Sequence, residues 1–345
     1  MSGTLGDMQP VFDGHNDALL RARAEAIAAG RPDGHLDLPR ARAGGLAGGI
    51  FAVFTPGEEP ELIEREDGWE SPLPPALAPG VAAEYALRAA GRLFRLQELG
   101  ALRVVRSVAE LDRSLADGVL GAVLHLEGAE AIDPELEALE LWHAAGLRSL
   151  GPVWSRPNAF GHGVAGRFPG TPDTGAGLTD AGRALVRRCN ELGVLVDASH
   201  LNLTGFWDLA ATTEAPLVAT HSCAYALAPA SRNLTDEQLD AIGASSGLVG
   251  IAFVAPFLRA DGRDDPDTPL AAVVAHVRHV ADRVGVERVA LGSDFDGATI
   301  PAAIGDAGGL PRLLDALRDD GFSADEVGQI AWGNWRRVLA ATWRS

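Results

Sequence analysis

The chain has only two cysteines, Cys189 and Cys223, in 345 residues. They allow one bridge at most, so a disulfide framework is excluded as the source of stability, and a reducing compartment fits. Long apolar runs are also missing, because charge or glycine interrupts each one well short of the ~18 residues a membrane span needs. Residues 1–10 carry Asp7 and no basic start followed by an apolar run, which does not read as a secretory signal. Basic charge is scarce: 29 Lys and Arg against 47 Asp and Glu give a net charge of −18. The average surface field therefore repels phosphate backbones and anionic headgroups. Neither nucleic acid nor membrane is an expected partner, and a soluble, cytoplasmic protein is expected. No short internal repeat is present, and no stretch is polar enough for a disordered arm.

What is present is a 47% apolar share spread along the whole length, enough for a continuous buried core. Short apolar runs that end in polar residues alternate with longer segments of helical period, the pattern of repeated βα units. The runs at 10–17, 48–55, 121–128, 147–154, 193–199, 216–222, 247–253 and 288–294 read as eight strands. Helical character falls at 82–99, 134–145, 179–192, 235–241 and 269–284, with Thr179 as an N-cap and Gly193 as a stop. Eight such units close most simply as a (β/α)8 TIM barrel, although an open doubly wound sheet has the same local pattern. The proline-rich segment 59–80, in a loop that opens near residue 56, reads as a surface insertion in the second βα unit. A single catalytic domain over residues 1–345 is expected.

Histidines and carboxylates fall at the carboxyl ends of these strands. His15 and Asp17 close the first, Glu127 the third, His200 follows the fifth, His221 the sixth, and Asp294 ends the eighth. In a parallel barrel these ends converge on one face, so His15 and Asp294 can meet across the whole chain. Three histidines and three carboxylates are donors that zinc accepts, and alternation along a strand lets His15 and Asp17 face one ion. Glu127, the one glutamate in the set, suits a bridge between two cations. Two ions sharing a hydroxide lower the pKa of its parent water from 15.7 to ~7. Asp296 competes with Asp294, which is preferred because it ends the apolar run. Asp13 reads as a partner that orients His15, and His125 either lines the site or packs behind it. His35, His143, His276 and His279 read as structural.

With those residues in place, the chain resembles the membrane dipeptidase (renal dipeptidase) family of zinc peptidases, a branch of the barrel-shaped amidohydrolases. The segments that carry the resemblance are Asp13-Gly14-His15-Asn16-Asp17, Leu126-Glu127-Gly128, Asp197-Ala198-Ser199-His200, Thr220-His221-Ser222, Ser231-Arg232-Asn233 and Gly292-Ser293-Asp294-Phe295-Asp296-Gly297, with Gly333-Asn334 near the end. The resemblance implies two Zn²⁺ per chain: His15 and Asp17 hold one, His200 and His221 the other, and Glu127 bridges them. It further implies that Asp294 helps bind the first metal and shuttles the proton, and that Arg232 binds the substrate's terminal carboxylate. Trp154 stands where characterised dipeptidases carry a histidine that polarises the scissile carbonyl, and His162 in the same loop is the candidate substitute.

The expected reaction is attack by a metal-bridging hydroxide on the carbonyl of a dipeptide. The resemblance implies acceptance of a D-residue at the carboxyl-terminal position and, in some members, of β-lactam-like amides. A lactonase, deacetylase or cyclic-amide hydrolase uses the same kind of site, and a catalytically silent homologue is the reading outside enzymes. Dimers are common among soluble enzymes, but no interface is legible in the sequence.

Overall fold

The computed structural model describes residues 8–58 and 60–344. Residues 1–7, most of the segment read as lacking a secretory pattern, lie outside the described residues, as do Glu59 in the proline-rich segment and Ser345.

Eight parallel strands form the frame: β1 (Val11–Asn16), β2 (Leu46–Phe54), β3 (Leu120–Glu127), β4 (Leu147–Gly151), β5 (Leu195–Val196), β6 (Val218–Ser222), β7 (Leu248–Ile251) and β8 (Val289–Leu291). One arc pairs β1 through β5 in order, the other pairs β6 through β8. Single parallel bridges join the arcs at both seams, Asp197 to Val218 and Asn16 to Phe295. The strands thus close into the expected barrel, not an open sheet. Past the two residues of β5, Asp197 N still donates to Leu150 O and Ala198 N to Val218 O, both at 2.8 Å, before the Asp197 side chain takes over the bonding of the following loop through Ser199 and Thr220. A further short strand, Leu102–Val104, pairs with the first residues of β3 and had no separate signal in the sequence.

The helices lie where the 3.6 period places them, including Pro79–Glu98, Asp180–Leu192 and Leu270–Val284. Thr179 accepts from the backbone N–H of Gly182, and Gly193 ends that helix at φ 70°. No described helix is long and apolar enough to cross a membrane. The closing helix Asn334–Thr342 plugs the amino end of the barrel. Trp335 is fully buried there in a cluster with Phe12, Val123, Leu195, Val218, Leu248 and Ala290, residues of β1, β3 and β5 through β8. Its indole N–H donates to Leu291 O at 2.9 Å, and a Cβ on Gly14 would overlap its ring. Asn334 donates to the carbonyls of Val286 and Val289, tying the plug to β8. With that end filled, the carboxyl ends of the strands are left for chemistry.

The proline-rich segment is more structured than a loop. Ile63–Arg65 and Gly68–Ser71 form a hairpin around the two residues Glu66 and Asp67, and Gly166–Phe168 adds a third antiparallel strand. The sequence signal was weak because the hairpin lies over the barrel mouth with mostly exposed or half-buried residues, so it lacks an apolar face alternating by two.

Candidate metal centre

The end of β1 brings His15 into a fully buried position, yet neither ring nitrogen has a hydrogen-bond partner among the described residues. An orphaned buried imidazole costs ~1–3 kcal/mol and calls for a partner. Around it, His15, Asp17 and Asp294 present ligand atoms within 4.8 Å of one another, and Glu127, His200 and His221 form a second such group. Glu127 Oε1 lies 3.5 Å from His15 Nε2, 2.8 Å from His200 Nε2 and 3.6 Å from His221 Nε2, so one carboxylate faces both groups. The two Nε2 atoms of His200 and His221 converge to 3.1 Å. Asp17 Oδ1 also lacks a partner.

The outward-facing nitrogens are fixed by hydroxyls. His221 Nδ1 lies 2.9 Å from Thr220 Oγ1, and His200 Nδ1 lies 3.0 Å from Ser155 Oγ. Such contacts select the tautomer and leave Nε2 of each ring to face the shared point. Asp197 also approaches His15 and His221 closely enough to be a ligand candidate. Its oxygens, however, already accept from Ser199 N and Oγ and from Thr220 N and Oγ1, at 2.7–3.0 Å. A saturated carboxylate of this kind holds the His200 and His221 loops together and does not serve an ion.

Charge tells the same story. Burial works against charge on His15, but the carboxylates of Glu127, Asp17 and Asp294 override it and raise its pKa to about 10. Burial and neighbouring Glu127 push Asp17 well above the ordinary carboxylate range, and burial also raises Asp294. Burial, with Arg232 adding to it, lowers His200 to about 4, and burial reinforced by His15 takes His221 well down. Two buried carboxylates and a half-buried third that draw a proton onto one imidazole while the other two stay neutral mark a site short of cationic charge.

Asp294 sits at φ 61° and Asp296 at φ 71°, a left-handed pair after β8. The turn separates the two aspartates. Asp294 enters the cavity, while Asp296 is buried in an ion pair with Arg31 and accepts from the backbone N–H of His35 at 2.7 Å. Between them and the ligands, Gly297 leaves no room for a side chain, since a Cβ there would overlap both Asp17 Oδ2 and Asp294 Oδ1. Gly297→Ala is therefore expected to weaken metal affinity by roughly 10–100-fold, with metal retention during titration against a chelator as the measurement.

The remaining expected residues divide. Asp13 does not orient the His15 ring; it accepts from Ser293 N and Oγ at 2.7 and 2.9 Å and holds β1 to the turn after β8. His125 packs behind the site, its Nδ1 2.8 Å from Ser149 Oγ and its ring edge-on to His15. Arg232 is buried, donates to the Ser199 carbonyl and lies under Phe257. Trp154 stacks near Phe54 and His200 with ring centroids at 4.7 and 5.7 Å. His162 is not among the residues that line the cavity, although its loop is held beside the site, Gly163 bridging Leu201 and Val164 N donating to His200 O at 3.0 Å. Sequence reasoning had no signal for Ser155, nor for Arg156, which is buried beneath Phe54 and Trp154 and paired with Glu130 at 3.2 Å. Asp197 and Thr220 stood beside ligands in the quoted segments, and that adjacency was the only clue to them.

A cavity of about 320 Å³ opens over this centre, lined by Asp17, Glu127, His200 and Asp294 on its floor, with Arg232 and Trp154 among its walls. It is small for a ligand site, and its polar groups are those able to hold cations and a carboxylate.

The sequence profile of membrane dipeptidases, peptidase family M19, matches residues 4–344. A crystal structure of a metallo peptidase from Rhodobacter sphaeroides, liganded with a phosphinate mimic of the dipeptide L-Ala-D-Ala, superposes with a TM-score of 0.92 at 47% identity, covering 97% of this chain and 99% of that one. An uncharacterised protein encoded in the pqqA 5′ region of Klebsiella pneumoniae is 50% identical over 71% of this chain and 90% of its own length. The dipeptidase aclJ of Aspergillus oryzae is 29% identical over 96% of this chain and 77% of its own length. The chain therefore belongs to the membrane dipeptidase family, peptidase family M19, and is a metal-dependent hydrolase of the dipeptidase type built on an amidohydrolase barrel.

Proposed function

We propose that this protein hydrolyses the peptide bond of dipeptides, L-D dipeptides among them, with two zinc ions held by His15, Asp17, Glu127, His200, His221 and Asp294. The observation that carries the reading is the pair of donor groups, Glu127 with His200 and His221 and His15 with Asp17 and Asp294, linked by the 3.5 Å approach of Glu127 Oε1 to His15 Nε2, with both His15 ring nitrogens and Asp17 Oδ1 lacking a hydrogen-bond partner among the described residues. The donor set of imidazoles and carboxylates suits zinc. Bound by these residues, such ions would supply Lewis acidity, lowering the pKa of a bound water to ~7 and polarising the substrate carbonyl.

The chain's own residues do the rest. Asp294 reaches the floor of the cavity beside Asp17 and takes the proton of the attacking water, then returns it to the leaving amine. Arg232 offers a planar donor to the substrate's terminal carboxylate, and its Ser199 anchor stops the guanidinium from swinging away. Trp154 and Phe54 wall the cavity with apolar surface that keeps water from the reacting bond. The bound mimic of L-Ala-D-Ala in the Rhodobacter structure supports L-D dipeptides as the substrates to try first.

The test is metal content by mass spectrometry on gently purified protein, paired with a screen of L-L and L-D dipeptides. About two zinc ions per chain with cleavage of L-D dipeptides is the expected result; metal-free protein that cleaves them would overturn the reading. Arg232→Ala is expected to cut kcat/KM for free dipeptides by about 10²-fold, as loss of a charge-assisted contact implies. Carboxamide analogues should lose little, and equal losses on both substrates would remove Arg232 from carboxylate binding.

A further inference from the structure

When water adds to an amide, the carbonyl oxygen gains negative charge, and a donor already waiting beside it lowers the barrier. The cavity wall offers few uncharged donors for that task. Trp69, in the hairpin that roofs the mouth, spends its indole N–H on Gly262 O at 2.7 Å. Ser155 has its hydroxyl engaged with His200 Nδ1 at 3.0 Å, and Ser71 belongs to the hairpin. Trp154 lines the cavity half-buried, and its N–H has no acceptor among the described residues, whereas those of Trp335 and Trp343 donate to backbone carbonyls at 2.9 and 3.0 Å. An indole N–H can only donate, and it does so whatever the pH. The ring is held from several sides. It lies 5.7 Å, centroid to centroid, from His200, one of the donors grouped with Glu127, and the next residue, Ser155, clamps that same imidazole. Phe54 packs against it at 4.7 Å, and the Arg156 guanidinium lies 5.4 Å from its centroid, where a cation attracts the ring face. Arg156 is fixed in turn, with Nε donating to Glu130 at 3.2 Å and a terminal nitrogen to Thr55 O at 2.8 Å. Gly163 closes the other side of the loop, since a Cβ there would overlap Trp154 O.

From this geometry we propose that Trp154 is a catalytic residue, its indole N–H donating to the oxygen of the scissile carbonyl and to the oxyanion that follows. The inference rests on the dipeptidase reading above. As the oxygen of the attacking water bonds to the carbonyl carbon and its proton passes to Asp294, the π pair moves onto the carbonyl oxygen, where the hydrogen bond from Trp154 strengthens. When that pair returns to carbon, the C–N bond breaks and Asp294 gives the proton to the leaving amine. A hydrogen bond that gains strength only as charge develops raises kcat and leaves substrate binding nearly untouched. The same ring still excludes water through its apolar face, so one side chain both dries the cavity and supplies a fixed dipole to it.

The test uses the zinc-loaded protein, the phosphinate mimic of L-Ala-D-Ala as a probe with tetrahedral oxygens in place of the reacting carbonyl, and Trp154→Phe, which keeps an aromatic ring and loses the N–H. In wild type labelled with ¹⁵N-tryptophan, the indole resonance of Trp154 should move downfield when the mimic binds. That resonance is assigned by its absence from the spectrum of Trp154→Phe, or of Trp154→Tyr should the first variant not fold. Trp154→Phe should lose about 10²-fold in kcat for L-Ala-D-Ala, the scale on which one oxyanion donor acts, with KM and zinc content near wild type. Its affinity for the mimic, measured by calorimetry, should fall by a similar factor. A variant whose KM rises while kcat holds would make the ring a packing surface and overturn the donor role. So would an indole resonance that stays in place with the mimic bound. In both cases cleavage of L-Ala-D-Ala by the wild type leaves the dipeptidase reading standing. A zinc-loaded wild type that neither cleaves L-Ala-D-Ala nor binds the mimic would overturn that reading and the donor role with it.

Discussion

Asp294→Asn is expected to lower kcat by about 10²–10⁴-fold, the range lost with a general acid–base group, while metal content stays close to wild type. Asparagine keeps an oxygen donor of the same reach but cannot accept the proton of the attacking water at neutral pH. It is also the substitution that isolates the effect. Asp294 stands at φ 61°, a left-handed conformation in which Asn is among the few favoured residues, so the variant adds little backbone strain. The hydrogen bond from its own N–H to His15 O at 3.0 Å is untouched. Rapid kinetics with L-D dipeptides and metal analysis of the same preparation decide the matter. Undiminished turnover would remove the aspartate from proton transfer, and loss of metal alongside activity would recast it as a ligand only.

Removal of metal should have the other large effect. Chelation is expected to abolish turnover, and readdition of zinc to restore it, because the proposed attacking water depends on the ions for its acidity, while the Ser155 hydroxyl that also lines the cavity is engaged with His200 Nδ1 at 3.0 Å. Stability should fall with activity. The metal-free centre must keep Asp17 and Glu127 buried beside a half-buried Asp294, with a proton on His15 and the Arg232 guanidinium as the charges that offset them. A ligand present at a thousand times its Kd stabilises the folded state by ~4 kcal/mol, so thermal unfolding should move down by several degrees on chelation and return with zinc. Activity persisting in protein verified as metal-free would sink the mechanism.

Much of the site was readable because a βα repeat puts its chemistry at predictable places. His15, Asp17, Glu127, His200 and His221 all stand at or just past the end of an apolar run, and the ends of parallel strands share one face. The turn after β8 was harder. Asp294 and Asp296 are two residues apart, and what separates them is Arg31, which pairs with Asp296 from a loop more than two hundred residues earlier in the chain. Asp197 shows the reverse case: by residue type and distance it qualifies as a ligand, and only the four donors from Ser199 and Thr220 disqualify it. His162 was the natural candidate to stand in for a histidine at Trp154, but its side chain does not line the cavity even though Gly163 and Val164 bond beside His200. The hairpin over the cavity escaped notice for want of an apolar alternation.

By itself the amino-acid sequence determined the class of fold, the order of its strands and the candidates for the metal donors, because periodicity and residue chemistry are local properties that the chain carries at every position. Ring closure through Asp197–Val218 and Asn16–Phe295, the engagement of Asp296 and Asp197, the roof pinned by Trp69 and the burial of Arg156 were decided only by the tertiary structure. Each of these is a competition for a donor, an acceptor or a volume among residues far apart in the chain, and its outcome exists only once they have been packed together.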